Sequence, residues 1–281
     1  MKLTAVLTAH RGPVTSVKIH NGQILSASAD GTVAVFSNPQ RPTYSHRLFG
    51  HTTRGLSSIH PLGDTVLLGA DDKATLVHIA TNSLLQYYIN SENVSSVHQQ
   101  QHAVFTASAD GSVRQYERLS GTQLAIFRGH ESAVLCVESR DHLIISGGQD
   151  GRVVFYNVNG ITLHTLRLSG PVSDLKLNQR GDGLVVFVLG VGVLVFKLDL
   201  VQLKNTKLVR TFNVIEKRFL HQIEINTRKI VFGGQGRVAQ FDLVSGQTEE
   251  LIIENDDILC VCSENGVICA GGRSGRVWII E

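Results

Sequence analysis

The feature that most constrains this chain is a short phrase that returns at a fixed interval. Ser-Ala-Ser-Ala-Asp-Gly-Thr-Val starts at Ser26, Thr-Ala-Ser-Ala-Asp-Gly-Ser-Val at Thr106 and Ser-Gly-Gly-Gln-Asp-Gly-Arg-Val at Ser146, 80 and 40 residues apart. A weaker copy over Leu68–Thr75 fills the gap, and three degenerate copies run over 186–193, 231–238 and 270–277. Seven units of this period mean one small supersecondary element that buries its faces only against its neighbours.

The grammar inside each unit is β throughout. In the first unit Val14 to Ile19 alternates, Asn21-Gly22 provides a tight turn with positive φ, and Gln23 to Ala27 returns. A second turn at Ala29-Asp30-Gly31 leads into Thr32 to Phe36, and a fourth strand follows. The distance from the first apolar residue to the turn aspartate is 16 residues for Val14–Asp30, Val94–Asp110 and Val134–Asp150. The same spacing joins Phe219 to Gln235 and Ile258 to Ser274, where the aspartate is gone. A slip of one residue would turn every side chain to the wrong face, so a kept spacing means a kept sheet.

These residues resemble the WD-repeat family. Gly50-His51 and Gly129-His130 match its Gly-His step, with His10 at the equivalent place, and Asp30, Asp72, Asp110 and Asp150 match its turn acid. The aromatic that ends the third strand is Phe36, Tyr116, Tyr156, Phe196 or Phe241, and the eponymous Trp is absent from that slot in every unit. The resemblance implies an all-β, seven-bladed β-propeller of four-stranded antiparallel blades, one domain over residues 1–281. The seventh unit ends on its third strand, and the unassigned segment from Lys2 to Leu7 has the length to supply the fourth and close the ring.

Composition excludes several alternatives. The formal net charge is +2 and the Lys and Arg residues form no run, so charge gives nucleic-acid binding no support. The apolar stretch from Gly183 to Leu200 is rich in Val and Gly, which suits two buried strands better than a membrane-spanning helix, and no membrane insertion is expected. The first eight residues lack a signal-peptide pattern. Cys136, Cys260, Cys262 and Cys269 are therefore expected as reduced core thiols in the cytosol or nucleus, without zinc.

The resemblance also assigns roles. A buried His, a Ser or Thr of the second strand and the turn Asp form a hydrogen-bonded chain in the family. Here that implies structural roles for His10, Ser26 and Asp30, for His130, Ser146 and Asp150, and for His51, Asp72 and Asp110. Two of these sets have the composition of a Ser-His-Asp triad, but their recurrence at repeat positions speaks for structure over catalysis. His98 and His102 lie four apart across a hairpin turn with no third ligand nearby, and the glycine-rich turns lack the helix that a phosphate cradle needs. No cofactor, metal or catalytic residue is expected.

Function is expected on the loop face around the channel, where Asp71, Gln149 and Arg273 precede turns and Arg11, Arg54, Glu131, Arg218 and Asp257 begin first strands. The expected function is a non-catalytic scaffold or adaptor binding proteins or peptides as a subunit of a multiprotein complex. A reader of phosphorylated peptides would use Arg54, Arg218 or Arg273. A propeller hydrolase would need carboxylates and histidines around the channel, and of the seven residues preceding the turns only Asp71 is acidic.

Overall fold

A computed structural model of the chain describes residues 1–49, 55–178, 180–212, 223–225 and 229–281. Short strands dominate, and the described residues include one turn of 3-10 helix, Leu203–Asn205. Among the described residues no helix is long and apolar enough to cross a membrane.

The first sheet shows how sequence becomes structure. Val14–His20, Gln23–Ser28, Thr32–Ser37 and Thr43–Phe49 pair antiparallel in chain order. Asn21 and Gly22 sit at φ +49° and +69°, the conformation that matches the turn to the twist of its strands. The second strand is buried on both faces because other sheets lie on both sides of it. Four further four-stranded sheets repeat this order, starting at Ser58, Val94, Val134 and Val172. Gly183–Val188 and Gly192–Lys197 form two strands of the last of these, turning at Gly190 with φ +79°.

The expectation of seven four-stranded blades is overturned. The described residues form six hydrogen-bonded sheets, and so six blades, because the strands of units six and seven join in one. Its order is Leu3–Thr8, Arg276–Ile280, Val267–Gly272, Thr248–Glu264, Lys229–Asp242 and Ile223–Ile225. The cause is local. Where the repeat spacing puts a turn at Gln235, Lys229–Asp242 runs on, with Gln235 opposite Asp257, Arg237 opposite Ile252 and the register shifting between them. Unit six has no turn aspartate to force a hairpin there. Thr248–Glu264 likewise continues through Asn255, at φ +62°, where a break between units was expected.

The N-terminal strand Leu3–Thr8 lies antiparallel against Arg276–Ile280, and the main chains of Lys2 and Glu281 exchange two hydrogen bonds. Behind this seam, Val14, Ile24 and Phe36 pack with Cys260, Cys269 and Ile279 in one buried cluster.

One device recurs at the seams. The Thr15 hydroxyl donates to Ala27 O of its own sheet (3.3 Å) and to Leu56 O of the next (2.8 Å). Ser57 bridges Gly69 O and Val94 O, and Ser95 bridges Ala107 O and Val134 O. Cys136 does the same with its thiol, between Gly147 O and Val172 O at 3.8 Å each, and Cys260 spans Gly271 O and Val14 O. Sulfur sits one residue further along the strand and needs room. A Cβ on Gly147 would lie 2.8 Å from the Cys136 sulfur, and one on Gly271 would lie 2.4 Å from that of Cys260.

Candidate functional site

Polar chains inside the sheets fix the loops that form the rim. In the fourth sheet Ser146 Oγ lies 2.8 Å from His130 Nε2 and Asp150 Oδ1 lies 2.9 Å from His130 Nδ1. A carboxylate can only accept, so Nδ1 carries the proton and Nε2 accepts from Ser146. Asp150 also accepts the main-chain N–H groups of Glu131 (2.9 Å) and Arg152 (3.1 Å), which ties two loops together. Burial keeps the His130 imidazole below the usual histidine range, although Asp150 opposes this. Burial pushes the Asp150 carboxyl up, but the bonds from His130, Glu131 and Arg152 outweigh it and hold it below its ordinary value.

The first sheet repeats the arrangement with an intermediary. His10 meets Ser26 at 2.8 Å and Thr32 at 3.1 Å, Thr32 donates to Asp30 at 2.6 Å, and Asp30 accepts the Arg11 N–H at 2.9 Å. Ser26 and Ser146 have no exposed surface. A nucleophile must reach its substrate, so these serines work as struts. In the third sheet Asn90 stands in place of histidine, accepting from Thr106 and from Arg114, which donates in turn to Asp110 at 2.6 Å. Burial raises Asp110, but the bonds from Arg114 and Ser112 prevail and bring it down to about 2. Asp72 is exposed in its turn and offers its main-chain carbonyl to the Asn90 N–H. His51, Arg54 and Arg218 lie outside the described residues.

Of the remaining rim residues, Arg11, Asp71, Glu131, Gln149 and Arg273 lie between strands, whereas Asp257, expected to begin a strand, lies inside Thr248–Glu264. Arg11 and Gln149 are exposed, and Asp71 is half-buried at φ +43°. Glu131 pairs with Arg152, and Asp257 with Arg273 at 3.0 Å. The last pair borders an open groove of about 610 Å³ with Gln235, Arg237, Asn255 and Ser274.

A second layer went unread in the sequence. At matching register positions, opposite Leu25, Leu67, Phe105, Ile145, Val185 and Cys269, stand Lys18, His60, His98, Glu138, Lys176 and Cys262. All but His98 line a cavity of about 940 Å³ on the side of the first hairpin turns. His98 stacks on His60, with ring centroids 4.2 Å apart, and its Nδ1 accepts the Ser139 N–H at 2.9 Å, so it is neutral. Lys176 bonds Glu138 at 2.8 Å. Lining up the repeats on their second strands would have found this tier. His102 stays exposed in its turn, away from His98, and among the described residues no three His, Cys, Asp or Glu are grouped to hold a metal ion.

The sequence model of the WD domain, G-beta repeat, matches residues 1–37 and 121–157. The WD40 β-propeller domain of Doa1 superposes with a TM-score of 0.84 at 18% identity, over 99% of this chain and 96% of that one. Those two stretches match WD repeats, and the fold over the whole chain is that of a WD40 β-propeller. A second structural likeness, at TM-score 0.76 and 16% identity, is the computationally designed Ika8 protein, over 97% of both chains. In sequence the present chain is 26% identical over 240 residues to COMPASS component SWD3 of Saccharomyces cerevisiae, which spans 78% of this chain and 74% of that protein. It is 32% identical over 95 residues to telomerase protein component 1 of Rattus norvegicus, 31% of this chain but 4% of the relative.

Proposed function

We propose that this propeller is a non-catalytic scaffold that docks partner proteins or peptides on its loop face, as a subunit of a larger assembly. One observation carries the reading. Polar chains such as His130–Asp150 and His10–Thr32–Asp30 tie down the loops that present Arg11, Glu131 and Gln149. A preorganised, charged rim is what a docking face requires, because little entropy is lost when it is covered. Likeness to SWD3, named as a component of a complex, supports the same reading over most of both chains. The buried serines of the two His-Ser-Asp sets support the absence of catalysis.

The test is a set of alanine variants at Arg11, Glu131, Asp257 and Arg273, each checked for an unchanged unfolding midpoint. Expressed in native cells, the unsubstituted chain is expected to co-purify with stoichiometric protein subunits, and at least one rim variant to lose a subunit while remaining folded. Recovery of the chain alone, or of the same subunits with every variant, would contradict the docking face.

A further inference from the structure

The last hairpin of the ring places two cysteines directly opposite each other. Its turn is Asn265–Gly266, at φ +50° and +84°, and the register then runs Glu264 opposite Val267, Ser263 opposite Ile268 and Cys262 opposite Cys269. Directly opposed residues project from the same face of a sheet. Counting from the two-residue turn, Cys262 and Cys269 form a hydrogen-bonded pair, whose Cα atoms lie roughly 5.5 Å apart. That separation falls within the range that a disulfide can span. Both thiols are reduced, and Cys269 hydrogen-bonds Cys262.

The surroundings divide the two sulfurs. Cys269 has no exposed surface, and its bond to Cys262 together with burial pushes its thiol well up, so that it keeps its proton. Cys262 is 3% exposed and lines the 940 Å³ cavity on the side of the first hairpin turns, and Lys18 shares that wall. A small molecule in the cavity meets Cys262 first, and Cys269 lies directly opposite on the neighbouring strand.

We propose that Cys262 and Cys269 form a reversible dithiol–disulfide site that takes up a small peroxide from that cavity. The sulfur of Cys262 attacks one peroxide oxygen and gives up its proton. The O–O bond breaks, hydroxide leaves and takes a proton to become water, and Cys262 becomes the sulfenic acid. The Cys269 sulfur then attacks that of Cys262, the S–O bond breaks, and the departing hydroxide takes the Cys269 proton as a second water. The two sulfurs lose two electrons and the peroxide gains them. Cys260 and Cys136 stay outside this chemistry, since each thiol already bridges a seam.

The test treats the folded full chain with hydrogen peroxide, alkylates free thiols in denaturant and cleaves after glutamate. Cleavage after Glu254 and Glu264 separates the peptide carrying Cys260 and Cys262 from the one carrying Cys269. The expected result is these two peptides joined, lighter by two hydrogens than their sum, and parted by a thiol reductant. Cys260→Ser is expected to keep the joined species and Cys269→Ser to abolish it. Fragmentation of the joined peptides from the unsubstituted chain identifies the bridged sulfur even where a variant fails to fold. Separate peptides with all three cysteines alkylated would overturn the proposal. So would a bridge between Cys260 and Cys262, or a sulfinic acid on Cys262 with Cys269 free.

Discussion

Trp278 donates its indole N–H to Asp256 across 3.1 Å, and this bond does for the last unit what the His130–Asp150 bond does for the fourth. Asp256 also accepts the N–H and the hydroxyl of Ser274, which occupies the turn-aspartate position. Donor and acceptor have changed places along the chain while the link between the two loops is kept.

Removing either link is expected to cost a comparable amount. Trp278→Phe keeps a large ring in the core but removes a donor to a buried carboxylate, and Asp150→Ala leaves His130 and two main-chain N–H groups without their acceptor. Each is expected to destabilise the chain by about 1–3 kcal/mol, read as a lower urea midpoint with an unchanged slope. Midpoints equal to that of the unsubstituted chain would remove these chains from the account of stability.

Gly148→Ala is expected to break the fourth-sheet chain from the side. An added Cβ would lie 2.4 Å from His130 Nδ1 and 2.7 Å from Asp150 Oδ1, in the middle of their bond. Overpacking of this kind costs about 1–3 kcal/mol. Combined with Asp150→Ala, its cost should fall well short of the sum, because both changes act on one network. Additive midpoints would show that the two residues act separately.

Acid is expected to loosen the ring well before carboxylates protonate in free solution. Burial holds His60 and His130 below the usual histidine range, as it does His10, and brings His98 down to about 4. The unfolded chain thus binds protons at higher pH than the fold does. The stability contributed by the neutral imidazoles is complete above about pH 6.5 and falls as pH drops toward 4. Asp30, Asp110, Asp150 and Glu138, held below their ordinary values despite burial, add a further loss below about pH 4.5. Urea titrations at pH 7.5 and 5 are expected to give the lower midpoint at pH 5, and equal midpoints would contradict the neutral imidazoles.

Deleting residues 1–8 is expected to leave Arg276–Ile280 as an open edge with Val277 and Ile279 uncovered. Such edges pair with other chains. Size-exclusion chromatography should then show oligomers or aggregate, and supplying the segment as a separate peptide should restore monomer. A monomeric deletion with an unshifted midpoint would mean that closure is dispensable.

Much of this fold could be read from spacing. The interval from Val134 to Asp150 gives strands and turns that the structure reproduces, and the Asn-Gly step read at Asn21-Gly22 recurs at Asn265-Gly266, where the last hairpin turns. The joining of units six and seven escaped because a glycine-rich stretch over 233–236 serves a hairpin turn or an irregularity inside a long strand equally well. The Asn90–Arg114 and Asp256–Trp278 links escaped for another reason. A hydrogen bond needs a donor and an acceptor at the right places but not particular residue types, so substitution in pairs hides it from pattern matching. The tier of Lys18, His60, His98, Glu138 and Lys176 was legible in principle, since it follows the repeat, but its chemistry differs in almost every unit.

The side-chain bridges of Thr15, Ser57, Ser95, Cys136 and Cys260 bear on how the molecule comes apart. They link the first five sheets in turn, Val172–Leu177 of the fifth lies beside Ile223–Ile225 of the last, and the bridge from Cys260 returns to Val14, where the circuit began. A linear array can fray from its tips inward, but a circuit has no tip. The first opening must break two seams at once, so melting is expected as one sharp event rather than a peeling of successive repeats.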